Sequence, residues 1–185
     1  MENNLIWVDM EMTGLDSTKD QILEIATLVT DNELNLIAEG PNLAIHQSED
    51  ILKAMDDWNQ SHHGKSGLLD RVRASTETLQ SAEAKTLAFV AAYCKPKVAP
   101  LCGNSVWQDR RFLDRLMPTL NSFFHYRIID VSSVKELAQR WYPQLPPLKK
   151  KETHLALADI LESVEELRYY RKSIFLPTSV EPLVQ

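Results

Sequence analysis

Two carboxylates stand at alternate positions where an apolar run ends near the N-terminus. Asp9 and Glu11 follow Ile6-Trp7-Val8, a run typical of a buried strand. Because residues i and i+2 of a strand share a face, we expect both side chains on one side of a sheet. Such a pair is costly at a buried position unless a cation lies between the two charges, and Mg²⁺ and Mn²⁺ take carboxylate oxygens. The alternative is that one acid faces solvent, so a metal site requires further ligands downstream.

Two more acids and a histidine are candidates for that role. Asp109 follows a short predicted strand and opens a helix, a place where ligands gather in α/β sheets. Alone, it is equally well explained as a helix-start acid stabilised by the helix dipole. His154 and Asp159 lie five residues apart at the start of the last predicted helix. That spacing separates them by about 7.5 Å along a helix and about 140° around it, so they do not share one narrow face.

The elements that must position these residues follow from hydrophobic periodicity. A strand meander is predicted first, and helices then alternate with short strands, which is typical of an α/β mixed sheet of about five strands flanked by helices. Strands are expected at residues 6–12, 22–30, 34–38, 101–103 and 126–130, with 43–45 either continuing or following the third strand. Helices are expected from Ser48 through Trp58 and at about residues 78–94, 106–117, 131–141 and 154–172, with a loop at 59–67.

Composition limits the class of protein. The 185 residues are 44% hydrophobic and 25% charged, which favours one soluble globular domain. No run reaches the roughly 18 apolar residues of a membrane span. The opening Met-Glu-Asn-Asn lacks the features of a signal peptide, so we expect a cytoplasmic protein. Cys94 and Cys102 have no metal-type spacing and are expected as reduced, partly buried thiols.

The charge balance restricts the substrates that this chain can handle. Twenty Lys and Arg against 26 Asp and Glu give a net charge of −6. Proteins that track long nucleic acid usually carry a broad basic surface, which this composition does not favour. If the substrate is nucleic acid, we expect a few nucleotides in a local site, with metal ions supplying much of the positive charge.

Four sequence blocks carry a family resemblance, and they occur in the family's order. They are VDMEMTGL at 8–15, GNSVWQDRRF at 103–112, HYRIIDVS at 125–132 and THLALADI at 153–160. The chain thereby resembles the oligoribonuclease family, in the DEDDh branch of the DnaQ-like 3′→5′ exonucleases, from about residue 3 to about 176. The resemblance implies an RNase H-like fold and a single exonuclease domain over residues 1–185. Leu155 and Ala158 depart from a commoner pattern but are not proposed ligands.

The resemblance also implies a reaction. It makes Asp9, Glu11, Asp109 and Asp159 the ligands of two divalent cations, Mg²⁺ or Mn²⁺, and His154 the general base. An imidazole with a pKa near 6.5 suits that task; the alternative is that His154 only caps the last helix. The implied activity is hydrolysis of very short RNA oligonucleotides, including diribonucleotides, to nucleoside 5′-monophosphates.

Three residues are implied to hold the bases and sugar of the substrate. Leu15 resembles an apolar wedge between the two terminal bases, with an inward-packing turn residue as the alternative. Trp58 resembles a base-stacking aromatic, although its spacing in the helix also fits a core position. His63 is expected to contact the sugar or phosphate, and neighbouring His62 is the weaker candidate.

A further set is implied to hold the 5′-terminal phosphate, and it comprises Ser105, Arg127, Ser132 and Ser133. Arginine and hydroxyl donors suit a phosphate dianion. In the family Tyr126 and Arg127 come from the partner subunit, which implies a homodimer. The run Lys149–Lys151 is either a solvated loop or an attractor of anionic substrate.

Two other functions are weighed against this one. The first is a DEDDh exonuclease acting on DNA or on structured RNA 3′ ends, and the second is a catalytically silent module that binds RNA ends or a partner. Comparing turnover of two-mers and twenty-mers separates the first, and activity lost to EDTA and restored by Mn²⁺ excludes the second.

Overall fold

The computed structural model describes residues 4–148 and 156–176. A five-stranded mixed sheet in the order β3-β2-β1-β4-β5 forms its centre. The strands are β1 Leu5–Met12, β2 Ile22–Thr30, β3 Leu36–Ala44, β4 Leu101–Gly103 and β5 Ile128–Asp130. β2 is antiparallel to both of its neighbours, whereas β1, β4 and β5 run parallel. The predicted α/β mixed sheet flanked by helices is confirmed.

Eight helices surround this sheet within the described residues. They are α1 Glu49–Lys53, α2 Asp57–Lys65, α3 Leu68–Ala74, α4 Leu79–Tyr93, α5 Val106–Leu116, α6 Pro118–Phe123, α7 Val131–Trp141 and α8 Ala156–Ile174. The predicted bounds of β2, β4 and α7 agree with those observed. The predicted start of the last helix, at His154, lies outside the described residues.

The central strand β1 separates two apolar cores. Its even-numbered residues, Ile6, Val8, Met10 and Met12, belong to a core shared with α4, α5 and α6. Its odd-numbered residues begin with Leu5 and Trp7, which pack in the other core with α7 and α8. The fully buried indole of Trp7 donates from Nε1 to Thr30 Oγ1 at 3.0 Å. Because strand side chains alternate, Asp9 and Glu11 continue the row of Leu5 and Trp7 beyond the apolar core.

The helix predicted from Ser48 through Trp58 is wrong, because α1 ends at Lys53, and the elements that follow it also need correction. The loop predicted at 59–67 is wrong, because α2 begins at Asp57 and Asp56 caps it by accepting from the backbone N–H of Asn59 at 2.8 Å. Gly67 then turns the chain at a φ of 73° into α3, which was not predicted. The third strand runs without a break to Ala44, so of the two alternatives for residues 43–45 the one in which they continue the strand agrees with the structure. The short helix α6 was missed.

Two compositional expectations can be compared with the structure. Both cysteines are buried and free. The longest described helix, α8, carries several charged side chains along its 19 residues, and no helix within the described residues has the length and apolarity of a membrane span.

Candidate active site

Three carboxylates meet at the end of β1. Asp9, Glu11 and Asp159 each offer an oxygen, and these three oxygens all lie within 4.8 Å of one another. Asp9 and Glu11 project together because they are two residues apart on the strand, and Asp159 comes from the first turn of α8. The structure therefore brings together three of the four acids named from the sequence.

Hydrogen bonds tie the helix that carries Asp159 to the end of β4. The hydroxyl of Ser163 donates to the backbone carbonyl of Asp159 at 2.8 Å. The same hydroxyl accepts from Nδ2 of Asn104, also at 2.8 Å. Asn104 directly follows β4, so this chain of contacts fixes α8 relative to the sheet edge where the acids lie.

Asp109, the fourth acid, lies beside the cluster but is not one of its three members. It sits in the first turn of α5 and is only 5% exposed. The backbone N–H of Met10, on β1, lowers the pKa of the Asp109 carboxylate against the larger effect of burial, so this carboxylate lies close to that strand. Its charge is the largest single contribution, after burial, to the raised pKa of Asp9.

The electrostatics of the cluster are unfavourable without a cation. Burial and then the charges of Asp109, Glu11 and Asp159 raise the pKa of Asp9 well above its usual range. Burial and the charge of Asp159 raise the pKa of Glu11 to about 8, with the Arg71 cation opposing the shift. Burial also raises the pKa of Asp109, although backbone N–H donors oppose this. The donor set is hard, anionic and mutually repelling, and it fits a divalent cation that prefers oxygen ligands.

His63 joins α2 to the end of β1. Its Nε2–H donates to the carbonyl of Met12 at 3.0 Å, and its Nδ1 lies 3.8 Å from Glu11. The side chain is 3% exposed, and burial lowers its pKa below the usual value. A neutral imidazole that faces Glu11 with an acceptor nitrogen can receive a hydrogen bond from a bound group.

A groove of about 490 Å³ opens beside Glu11. Its walls include Leu15, Trp58, His62 and His63. Leu15 is 75% exposed and Trp58 is 67% exposed, so the alternatives that placed either side chain in the core are wrong. The indole of Trp58 stacks on His62 with ring centroids 4.6 Å apart and planes inclined by 8°. His62, the weaker candidate, thus packs against one face of this indole.

The turn that presents Leu15 is held from three sides. Thr13 exchanges hydrogen bonds with Gln21, while Thr13 Oγ1 and the backbone N–H of Asp16 both donate to the Asp20 carboxylate. The side-chain amide of Gln108 donates to the carbonyl of Leu15. Because these hydrogen bonds hold the turn, the apolar side chain of Leu15 remains exposed to solvent and does not fold back onto the protein.

Comparison with known proteins identifies the family. The model of the RNase T family, described as an exonuclease, matches residues 6–167. An oligoribonuclease of Shewanella loihica is 63% identical over 94% of this chain and 97% of its own length. Oligoribonucleases of Shewanella baltica and Shewanella oneidensis are 60% and 59% identical, each over 94% of this chain and 96% of the relative. The chain belongs to the oligoribonuclease family of exonucleases.

Solved structures agree with this assignment at the level of the fold. E. coli exonuclease I in complex with a 5cy-dT13 oligonucleotide superposes with a TM-score of 0.73 at 16% identity, over 94% of this chain and 42% of that one. The zinc-bound complex of E. coli exonuclease I with single-stranded DNA gives 0.72 at 17% identity, over 93% and 41%. This chain therefore spans less than half of those proteins, and what it shares with them is the exonuclease fold.

In this member of the oligoribonuclease family, two of the serines named from the sequence lie together. Ser105 and Ser132 hydroxyls are 3.1 Å apart, and the backbone N–H of Ser105 donates to both Ser132 Oγ and Asp130 Oδ1 at 3.0 Å. Ser105 has a φ of 50°, an unusual conformation for a residue with a side chain. Asp130 also caps α7 through the backbone N–H of Ser132 at 2.9 Å. Ser133 lines a shallow depression alongside Ser132 and Trp107.

The Tyr126-Arg127 pair stands apart from these serines. Tyr126 is 74% exposed, and the Arg127 guanidinium lies 5.4 Å from its ring centroid. In the part of the chain that the structure describes, no hydrogen bond joins Arg127 to either serine. His154, the expected base, and Lys149–Lys151 lie outside the described residues.

Several residues that build the site were not named from the sequence. Gln108 and Asp20 hold the Leu15 turn, Asn104 and Ser163 hold α8, and Asp130 holds Ser105. An aspartate at the end of a strand directly before a helix is a capping signal, so Asp130 could have been found. The other contacts join distant positions and carry no local signal.

Proposed function

We propose that this chain is a metal-dependent 3′→5′ exoribonuclease that hydrolyses very short RNA, including diribonucleotides, to nucleoside 5′-monophosphates. The observation that carries the proposal is the meeting of Asp9, Glu11 and Asp159, of which Glu11 lines a groove whose walls also display Leu15 and Trp58. The named relatives are oligoribonucleases, which supports RNA of short length as the substrate.

The four acids would hold two divalent cations, Mg²⁺ or Mn²⁺. Such ions, when bound, supply positive charge to the scissile phosphate and to the oxygens that enter and leave. Asp9 and Glu11 present their carboxylates from one rigid strand, and Asp159 meets them from a helix held by Ser163 and Asn104. Asp109 is close enough for its charge to act on Asp9.

The proposed reaction is hydrolysis of the last phosphodiester bond. A water oxygen bonds to phosphorus and the bond from phosphorus to the 3′-oxygen breaks, so the terminal nucleotide leaves with a 5′-phosphate. His154 takes the proton of the attacking water, and the departing 3′-oxygen acquires a proton to become a hydroxyl. The Nδ1 acceptor of His63, 3.8 Å from Glu11, is available to the 3′-terminal hydroxyl of the substrate.

The groove supports recognition of bases without sequence preference. The indole of Trp58 is already flat against His62, and its other face is open to a base. Stacking of this kind contributes roughly 1–3 kcal/mol per base and is tolerant of sequence. Leu15 stands on its braced turn as the wedge between the two bases. Ser105, Ser132 and Ser133, with Arg127, form the proposed cap for the 5′-phosphate, which limits substrate length.

We further propose that the chain acts as a homodimer in which Tyr126 and Arg127 complete the partner's site. Their exposure, and the lack of hydrogen bonds from Arg127 to Ser105 or Ser132 within one chain's described residues, support this. Mixing inactive Asp9→Asn and Arg127→Ala subunits tests it. Activity regained on mixing is expected, because the mixed dimer contains one site with intact acids and an intact Arg127 in trans. No gain, in a sample whose subunits are shown to exchange, would refute the trans arrangement.

A length series tests the main proposal. 5′-Labelled RNAs from two to twenty nucleotides, and matching DNA two-mers, are incubated with the protein and Mn²⁺ or Mg²⁺. We expect the RNA two-mer to be cut fastest, EDTA to abolish cleavage, and Asp9→Asn to be inactive. A folded, manganese-loaded protein that leaves RNA two-mers intact would refute the proposal, and faster cleavage of twenty-mers or DNA would reassign the substrate.

A further inference from the structure

A buried carboxylate that is not one of the proposed ligands lies directly beside the acid cluster. Glu24 on β2 pairs with Glu11 on β1 in the antiparallel register. Residues in such a pair project from the same face, with Cβ atoms about 4.5–5.5 Å apart. The side chain of Glu24 is fully buried, at 0% exposure. A buried charge in this position requires a partner.

That partner is Arg71, which comes from α3. Its Nη1 donates to Glu24 Oε1, and its Nη2 donates to Oε2 at 3.2 Å, so the contact is a two-point fork. The helix is fixed because Leu68, Leu69 and Val72 pack with Leu23 of β2 in a separate small core. Arg71 is consequently held near the metal-ligand strand by packing as well as by its ion pair.

The position of this cation creates a conflict that Glu24 resolves. An arginine binds carboxylates in a planar, two-point manner, and Glu11 is the proposed ligand directly across from position 24. The charge of Arg71 already lowers the pKa of Glu11 against the larger effect of burial, so the two groups are within electrostatic reach. An Arg71 without its partner would turn to Glu11 and compete with a divalent cation.

We propose that Glu24 is a positioning residue that holds the Arg71 guanidinium away from Glu11 and so leaves the Glu11 carboxylate open to a cation. This inference rests on the metal dependence proposed above and concerns how the site is kept available. Neither residue is proposed to touch the substrate.

Manganese binding without RNA provides the test. Calorimetric titration of the metal-free protein with Mn²⁺ is compared for the wild type, Glu24→Gln, Arg71→Met and the double variant. We expect Glu24→Gln to bind Mn²⁺ about tenfold more weakly or worse, which corresponds to about 1.4 kcal/mol. Arg71→Met is expected to bind at least as tightly as the wild type, because no cation competes. The double variant is expected to regain most of the lost affinity.

The opposite behaviour of the two single variants separates this role from a structural one. If the ion pair only held α3 on β2, Glu24→Gln and Arg71→Met would weaken binding alike, and that result would overturn the inference. So would a double variant as weak as Glu24→Gln, or a Glu24→Gln that binds normally. Glu49→Gln is the matched control. It removes the exposed ion-pair partner of Arg73, which lies on α3 like Arg71, and it should not change Mn²⁺ affinity.

Two further measurements keep the outcomes distinct. Thermal unfolding in EDTA shows which variants are folded at the titration temperature, and Glu24→Asp, which withdraws the carboxylate by one methylene, replaces a Glu24→Gln that does not fold. In kinetics, Glu24→Gln should recover kcat at high Mn²⁺. Failure of the wild type to bind Mn²⁺ or to cut RNA would instead refute the proposed function.

Discussion

Replacing Glu11 with Gln in metal-free protein should change how the free energy of unfolding depends on pH. In the folded chain burial and the charge of Asp159 raise the pKa of Glu11 from 4.5 to about 8. An unfolded chain restores the ordinary value, so between these pKa values the folded state binds a proton that the unfolded state does not. Stability from this group is therefore complete below the lower pKa and is lost as the pH rises through the higher one.

The size of the effect follows from the same two values. One pKa unit corresponds to 1.36 kcal/mol, so Glu11 alone should lower the free energy of unfolding by about 3 kcal/mol between about pH 6 and pH 9. Glutamine cannot titrate, and the variant should lose this part of the slope. The remaining acids titrate in both proteins, so the difference between the two pH profiles reports the titration of Glu11 together with the effect of its charge on the pKa of Asp9 and of Asp109.

Urea unfolding in EDTA at several pH values provides the assay. The wild type should lose about 3 kcal/mol more than Glu11→Gln over that range. Excess Mn²⁺ should stabilise the wild type and remove its extra slope, because a bound cation keeps Glu11 ionised throughout. Parallel pH profiles for the two proteins without metal would show that Glu11 is not a high-pKa member of the cluster.

Three other substitutions give separate outcomes. Trp58→Ala should raise KM for short RNA roughly tenfold to a hundredfold through lost stacking, with Trp58→Phe close to wild type and thermal stability unchanged because the side chain is exposed; an unchanged KM contradicts the stacking role. Gly103→Ala places a Cβ 2.9 Å from the carbonyl oxygen of Val8, so it should lower the free energy of unfolding by about 1–3 kcal/mol, as measured by urea denaturation. His154→Ala should retain Mn²⁺ binding and lower kcat by roughly 10²–10⁴, and near-normal kcat would remove His154 from the reaction.

Strong local patterns in the sequence predicted much of the fold. The largely apolar segment of β2 and the periodic segment of α7 predicted the bounds of both elements. The continuity of β3 was left open because it is an edge strand whose exposed face carries Glu39 and whose middle contains Gly40-Pro41. The helix α2 was missed because its glycine and two histidines are typical of a loop. The Asp56 cap and the hydrogen bond from His63 to Met12 stabilise it as a helix.

Part of the site could be predicted from the alternation of side chains along one strand. The common face of Asp9 and Glu11 followed from their spacing, but the approach of Asp159 is a tertiary contact that spacing could not reveal. Trp58 shows the limit most clearly. Its helical spacing left a core position with Leu52 and Met55 open as an alternative to base stacking, yet α1 ends at Lys53, α2 starts at Asp57 with a new phase, and the indole is exposed.

The division of β1 between two cores makes this strand intolerant of changes in length. Inserting or deleting one residue between Trp7 and Asp9 would reverse the faces of the residues on one side of the change, so that both acids would point into the opposite core if Leu5 and Trp7 kept their places. A duplicated or lost codon is therefore absorbed only outside the strand. Homologues and designed variants should accordingly differ in length in surface turns such as Asp31–Asn35, and never between Trp7 and Glu11.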